Sequence, residues 1–212
     1  MGSHRRPRRA RNLRHPARES LPIPDHSQTR ALEPLVRSSA RSMVIVTMGV
    51  SGAGKTTLGR ALAERLGFRF EEGDDWHDPA SVEKMRRGQP LSDGDRGPWL
   101  ARLNRAIREW VASDQNVVLA CSALRRSHRE ALRSGLTDPR QLRLVFLDGT
   151  RDAVERQLRG RTGHFMPAAL LPSQLEALEP PGPAEAIRVG IGTPVERAVD
   201  AVIDALESNA GA

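Results

Sequence analysis

Gly49-Val50-Ser51-Gly52-Ala53-Gly54-Lys55-Thr56 decides how the rest of the chain is read. It fits the pattern G-x-x-x-x-G-K-[ST], and its flanks are those such a loop requires. Before it, Met43–Met48 is a short apolar run with strand character. After it, Leu58, Ala61, Leu62 and Leu66 recur at helical spacing and stop at Gly67, a residue suited to the left-handed position beyond a helix. Strand, glycine-rich turn and helix in that order aim the backbone N–H groups of the turn and the positive end of the helix dipole at one spot, a polyphosphate site. The binding set is Gly49, Ser51, Gly52, Ala53, Gly54, Lys55, Thr56 and Thr57, with Lys55 reaching the β- and γ-phosphates of a nucleotide and the Thr56 hydroxyl placed on Mg2+. Lys55 is a chemical choice: Lys55 and Lys84 are the only lysines among 33 basic residues, so arginine serves wherever a generic positive charge is wanted. A compact ammonium fits inside such a loop and a planar guanidinium does not.

Further strands are expected near Phe68–Glu72, at Asn116–Cys121, at Leu142–Leu147 and around Ala186–Ile191. Between them lie helical faces such as Leu100, Leu103, Ile107, Trp110 and Val111, with Val195, Ala198, Val199, Val202 and Leu206 closing the domain. This alternation predicts an α/β fold of the P-loop NTPase type: three layers, a central parallel sheet of about five strands and helices on both faces. At 38% hydrophobic and 3% aromatic residues, without tyrosine, the core must be aliphatic, which argues against an all-β sandwich.

A net charge of +7 over 212 residues would ordinarily raise nucleic acid or an acidic membrane surface as partners. Here residues 1–42 carry ten arginines against three acidic residues, so the whole surplus sits there and the body is formally neutral. That segment, with Pro7, Pro16, Pro22, Pro24 and Pro34, is expected to be a disordered basic extension, and residues 209–212 a flexible end, around a domain spanning 43–208. No nucleic-acid contact is expected of the folded part. The lone Cys121 excludes an internal disulfide, and no stretch approaches an apolar membrane span, so a cytoplasmic location is expected.

The loop specifies a phosphoryl donor and leaves the acceptor open. Phe70-Glu71-Glu72-Gly73-Asp74-Asp75-Trp76-His77 ends the second strand, and a parallel sheet gathers its ligands at strand C-termini. Asp74 is suited to take a proton from a substrate hydroxyl and Glu72 to hold Mg2+ through water. Asp75 should point away from the loop, and Asp78, before Pro79, is explained by helix capping. Cys121 reads as a buried strand residue, since phosphoryl transfer to an alcohol needs no covalent intermediate.

The ordered set of loop, G-D-D-x-H at 73–77, E-K-M-x-x-G-x-P-L-x-D-x-D-R-x-P-W-L at 83–100, C-S-A-L at 121–124 and R-x-G-H-F at 161–165 resembles the gluconate kinases, relatives of shikimate and adenylate kinases. The resemblance runs from about Met43 to Leu206. It implies ATP-dependent phosphorylation of the terminal hydroxyl of D-gluconate. Such a polyol acid calls for a cation at its carboxylate and polar partners along its hydroxyls, which Arg96, His77, Lys84, Ser122 and Arg126 can supply, with Asp74 at the reacting end. It also implies a small helical lid at about 156–180, in which Arg161 neutralises charge on the transferring group and His164 faces the substrate, as well as a possible homodimer. Glu72 stands where these kinases more often carry aspartate, and His128 where a tyrosine is usual. Two rivals stand beside this reading: a kinase for another small hydroxy acid such as shikimate, and a nucleotide-dependent binding module.

Overall fold

The computed structural model describes residues 42–159 and 170–208. The expectations for 1–41 and 209–212, and those for Arg161 and His164, lie outside the described residues.

Strand β1 (Val44–Met48) is buried along its whole length and lies at the centre of the sheet. Its side chains alternate, Val44, Val46 and Met48 to one core and Ile45 to the other, so a nearly continuous apolar run, interrupted only by Thr47, suits a strand covered on both faces. Helix α1 (Lys55–Leu66) follows and closes on Gly67, whose φ of 67° is the left-handed cap read from the sequence. Then come β2 (Arg69–Glu72), a 3-10 turn at Gly73–Trp76, α2 (Pro79–Arg86), α3 (Asp93–Ala112) and β3 (Val117–Ala120). The second half supplies α4 (Arg126–Arg133), β4 (Leu142–Asp148), α5 (Arg151–Arg159), α6 (Leu171–Ala177), β5 (Ala186–Gly190) and α7 (Val195–Ser208).

All five strands are parallel, in the order β2-β3-β1-β4-β5. Leu58, Leu62 and Leu66 of α1 share one core with Val199, Val202 and Leu206 of α7. Trp99, Leu103 and Ile107 of α3 share the other with Leu132 of α4. The three-layer α/β arrangement is therefore observed, with each strand within two residues of its expected bounds. Because β3 and β4 flank β1 on opposite sides, the chain order reverses beside β1, and a crevice opens at the C-terminal ends of those strands.

Helix α3 begins at Asp93 and runs through Gly94, Gly97 and Pro98, residues of poor helix propensity. A capping box outweighs the poor propensities: the Asp95 N–H donates to Ser92 Oγ at 3.2 Å, and the Ser92 N–H donates to Asp95 Oδ2 at 2.9 Å.

Candidate active site

At the mouth of the crevice the glycine-rich loop turns through Gly49, Gly52 and Gly54 with φ of 142°, 82° and 101°, a backbone path that residues with a Cβ adopt only under strain. The loop is held down where it leaves the sheet, since the Gly49 N–H donates to Ser122 O at 3.3 Å. Gly54 caps α1 and contributes no side-chain hydrogen bond, and the first turn of α1 carries no acidic residue. A helix start dressed this way favours an anion. Lys55 Nζ donates to Val50 O at 3.0 Å, which folds the ammonium over the loop. Thr47 Oγ1, from β1, donates to Lys55 O at 3.1 Å and fixes the loop-helix junction on the sheet.

Thr56 and Glu72, the two residues expected at the metal, meet: Thr56 Oγ1 donates to Glu72 Oε2 at 2.8 Å. Burial pushes the Glu72 carboxyl above its ordinary value, against the Thr56 bond and the nearby Lys55. A half-desolvated carboxylate beside a hydroxyl at the edge of a phosphate loop fits Mg2+, which keeps most of its waters and takes phosphate oxygens in place of a full protein cage. Accordingly, no group of three or more metal-ligating side chains occurs among the described residues.

Asp74 is the second residue beyond β2, after Gly73. Gly73 makes this possible, because a Cβ there would stand 2.5 Å from Ala120 O, so only glycine lets the turn pass this close to the end of β3. Asp74 and His77 line a cleft beside the loop together with Arg96 and Trp99 of α3. Trp99 is fully buried; its ring stacks on His77 with centroids 4.4 Å apart, and its Nε1 donates to Gly73 O at 2.8 Å. One indole thus braces both ends of the turn that carries Asp74. Burial lowers the His77 imidazole below its ordinary value, and His77 Nδ1 is buried with no hydrogen-bond partner among the described residues. Asp75 is exposed and absent from the lining, and Asp78 caps α2 by accepting from the Ser81 N–H at 2.8 Å.

Arg96 is the cation of the cleft. Burial lowers its guanidinium from the ordinary value; it donates to Leu91 O, and Asp93 stands 3.8 Å away. An incompletely neutralised, half-buried guanidinium is what a substrate carboxylate pairs with. The far wall comes from the end of β3, where Ala123 is held at φ 41°, a left-handed conformation unusual for a residue with a side chain. That kink sets Ser122 and Leu124 into the cleft from either side of it.

Two expected substrate residues are not brought to the cleft. Lys84 Nζ pairs with Asp95 Oδ1 at 2.6 Å. Lys84 and the Ser92 bonds hold the Asp95 carboxyl well below the usual carboxylate range, so this lysine ties α2 to the start of α3. Arg126 is exposed and bonds Glu130 at 2.8 Å, one helical turn on. Its neighbour Arg125 is the one that turns inward, bonding Asp93 at 3.2 Å beside Arg96. Cys121 is buried, and burial pushes its thiol up to about 12, which keeps it protonated and inert. His128, in the place of a usual tyrosine, is buried and drawn below its ordinary value by that burial, its Nδ1 accepting from the Arg125 N–H at 3.4 Å.

Other residues of the site escaped the sequence reading. Ser173 and Gln174 of α6 line the cleft, and Gln174 Oε1 accepts from the Ser51 N–H of the loop at 2.6 Å. Leu158 of α5 lies against Gly52 and Gln157 against Gly54, so α5 as well as α6 reaches the loop. The sequence signals this only weakly: Leu170, Leu171 and Leu175 mark an apolar face, and nothing marks the glutamine among them.

A family model described as an AAA domain matches residues 44–181. The chain is 52% identical over 143 residues to the gluconokinase of Gluconobacter oxydans (strain 621H), a match covering 68% of this chain and 79% of that protein. It is 41% identical over 177 residues to a probable gluconokinase of Xenopus tropicalis, covering 78% of this chain and 92% of that one. Among solved structures, a gluconokinase from Sinorhizobium meliloti 1021 superposes with a TM-score of 0.71 at 42% identity, covering 82% of this chain and 96% of its own.

Proposed function

The chain belongs to the gluconokinase family, and from that premise we propose that it transfers the γ-phosphoryl group of ATP to the terminal hydroxyl of D-gluconate, giving 6-phospho-D-gluconate. The observation that carries the reading is the single cleft in which Asp74, His77 and Arg96 face one another beside the phosphate loop.

The polyphosphate of ATP lies on the loop, its oxygens accepting from the backbone N–H groups of residues 51–57, with Lys55 neutralising the β- and γ-phosphates. Thr56 and Glu72 hold Mg2+, which when bound offsets the negative charge of the phosphates. Arg96 binds the gluconate carboxylate, and Ser122 and His77 accept from or donate to the chain of hydroxyls. These anchors put the terminal hydroxyl at Asp74, where the carboxylate orients it and takes its proton as its oxygen bonds to the γ-phosphorus. The bond from that phosphorus to the β,γ-bridging oxygen breaks, and ADP leaves. Arg161 is proposed to close over the transferring group from the lid, with His164 facing the substrate, which excludes water as a competing acceptor. Lys84 and Arg126 drop out of the substrate set, and Arg125, backing Arg96 through Asp93, enters as its support.

The domain bounds of 43–208, the Mg2+ dependence, the cytoplasmic location and a homodimer stand as proposals. A lack of membrane-spanning helices supports the location: no helix among the described residues is long and apolar enough to cross a bilayer. The test is a coupled assay of ADP release with a panel of acceptors, in which gluconate is expected to be strongly preferred. A preference for shikimate, or nucleotide turnover that no acceptor stimulates, overturns the reading.

A further inference from the structure

Arg96, Arg125 and His128 all face one carboxylate. Asp93, at the start of α3, accepts through Oδ2 from Arg125 Nη1 at 3.2 Å, while its Oδ1 lies 3.8 Å from Arg96 Nη1 and 3.9 Å from His128 Nε2. Neither of the longer distances is a hydrogen bond. Arg125 therefore takes the short contact, and Arg96 keeps a charge that Asp93 only partly offsets. The Asp93 side chain is 62% exposed and has room to turn. A turn that closed the gap to Arg96 would make an ion pair there and compete with any carboxylate that enters the cleft.

Arg125 is itself held by a buried ring. His128 is 4% exposed, and its Nδ1 accepts from the Arg125 N–H at 3.4 Å, the contact that the third residue of a helix makes in a capping box. An accepting Nδ1 puts the ring proton on Nε2. The imidazole faces Arg96 and Asp93 of α3, Arg125 ahead of α4 and Glu179 beyond α6; burial, with the Arg96 guanidinium next, keeps it below its ordinary value, so it is neutral at pH 7. The Nε of Arg125 is buried with no hydrogen-bond partner among the described residues, so the bond to Asp93 is what orients that guanidinium. We propose that His128 is a positioning residue for the acceptor: it holds the Arg125 backbone, Arg125 holds Asp93, and Asp93 is thereby kept off the guanidinium that pairs with the acceptor's carboxylate. The inference rests on the gluconate reading for the identity of that acceptor. Its effect falls on one substrate, because ATP is held by the loop and the proton is taken at Asp74.

The experiment is steady-state kinetics of the full chain at neutral pH, with gluconate and ATP varied separately. His128→Leu removes the acceptor for the Arg125 N–H. It is expected to raise the gluconate KM at least about fivefold, the scale of coupling within one hydrogen-bonded network, with kcat and the ATP KM within about twofold of wild type. His128→Gln restores an acceptor of the kind favoured at that helix position and is expected to keep the gluconate KM of the wild type. Arg125→Gln, which frees Asp93 directly, is expected to reproduce the rise. In an Asp93→Asn chain no carboxylate can close on Arg96, so adding either His128→Leu or Arg125→Gln is expected to change the gluconate KM by less than about twofold. A gluconate KM that neither His128→Leu nor Arg125→Gln moves, a rise that is the same with and without Asp93→Asn, or a rise shared by the ATP KM overturns the proposal. Should His128→Leu not melt cooperatively, Arg125→Gln with and without Asp93→Asn decides the same question. If the wild type does not turn over gluconate, the acceptor reading falls, and urea unfolding of the Arg125→Gln and Asp93→Asn variants, alone and combined with His128→Gln and His128→Leu, still decides the chain of contacts: additive effects overturn it.

Discussion

Asp74 and Asp75 are adjacent carboxylates with opposite surroundings, one in the cleft and one exposed. Asp74→Asn keeps size and hydrogen bonding while removing the proton acceptor. It is expected to lower kcat by at least about 10², the range for loss of general-base catalysis, with ATP affinity little changed and Asp75→Asn mild. Single-turnover phosphate transfer at the wild-type rate in Asp74→Asn would place the base elsewhere. Lys55→Ala removes a preorganised donor to the phosphates and is expected to reduce kcat by about 10²–10³ in a chain that still melts cooperatively, as steady-state assays with circular dichroism would read. The residues on which these predictions rest were legible because each stands at a fixed offset from a strand end, and strand ends converge in a parallel sheet. Lys84 and Arg126 pair with Asp95 and Glu130 and do not line the cleft, and nothing in the local sequence names those partners, because a cation's partner is a tertiary fact. Gln174 was invisible for a different reason, being a neutral residue in a short helix whose role depends on a loop far back in the chain.

Strands announce themselves where both faces are covered, as in β1, β3 and β4, because most of their residues must then be apolar, Thr47 of β1 and Arg143 of β4 being exceptions. Helices announce themselves through a stripe, and α4 lacks one. Its sequence from Arg126 to Arg133 buries His128 and Arg129 with Leu132, polar residues where periodicity would require apolar ones. Arg129 is tolerated at 2% exposure because Glu185, ahead of β5, meets it with two bonds at 2.6 and 3.1 Å, while the carbonyls of Leu124 and Glu179 accept from its Nη1. That guanidinium fastens α4 to the approach of β5 and steadies Leu124, a wall of the cleft. Glu185→Gln leaves a buried cation without its counter-charge and is expected to cost about 3 kcal/mol at neutral pH. Arg129 holds the Glu185 carboxyl below its ordinary 4.5, so the pair's contribution is complete above that value and is lost as pH falls through the depressed folded value. The stability gap between wild type and Glu185→Gln should therefore be widest at neutral pH and close in acid, as urea unfolding across that range would show. An equal gap at both ends would mean that the carboxylate charge is not its source.

The surplus of +7 is confined to residues 1–42, and Ser42, the last of them, is already buried and donates through Oγ to Val111 O at 2.7 Å, near the end of α3. The next residue enters the sheet, with the Met43 N–H donating to Asn116 Oδ1 at 2.9 Å and Met43 O accepting from the Val117 N–H at 3.1 Å. Tolerance to truncation follows from the burial and hydrogen bonding of the backbone removed, and the Ser42 contact is what a cut just after it would lose. A chain starting at Arg41 is expected to keep the melting temperature and kcat of the full chain. A chain starting at Met43 loses one buried hydrogen bond, worth about 1 kcal/mol, and melts lower at unchanged kcat. Both shortened chains carry almost no net charge, and self-repulsion that favours solubility goes with the arginines, so both should precipitate at lower concentration near neutral pH and lose retention on a polyanionic column. Calorimetry, turnover and solubility limits measured on the three chains separate these effects. A large fall in melting temperature for the Arg41 chain would show that residues 1–40 brace the folded part, and a Met43 chain as stable as the Arg41 chain would remove Ser42 from the fold.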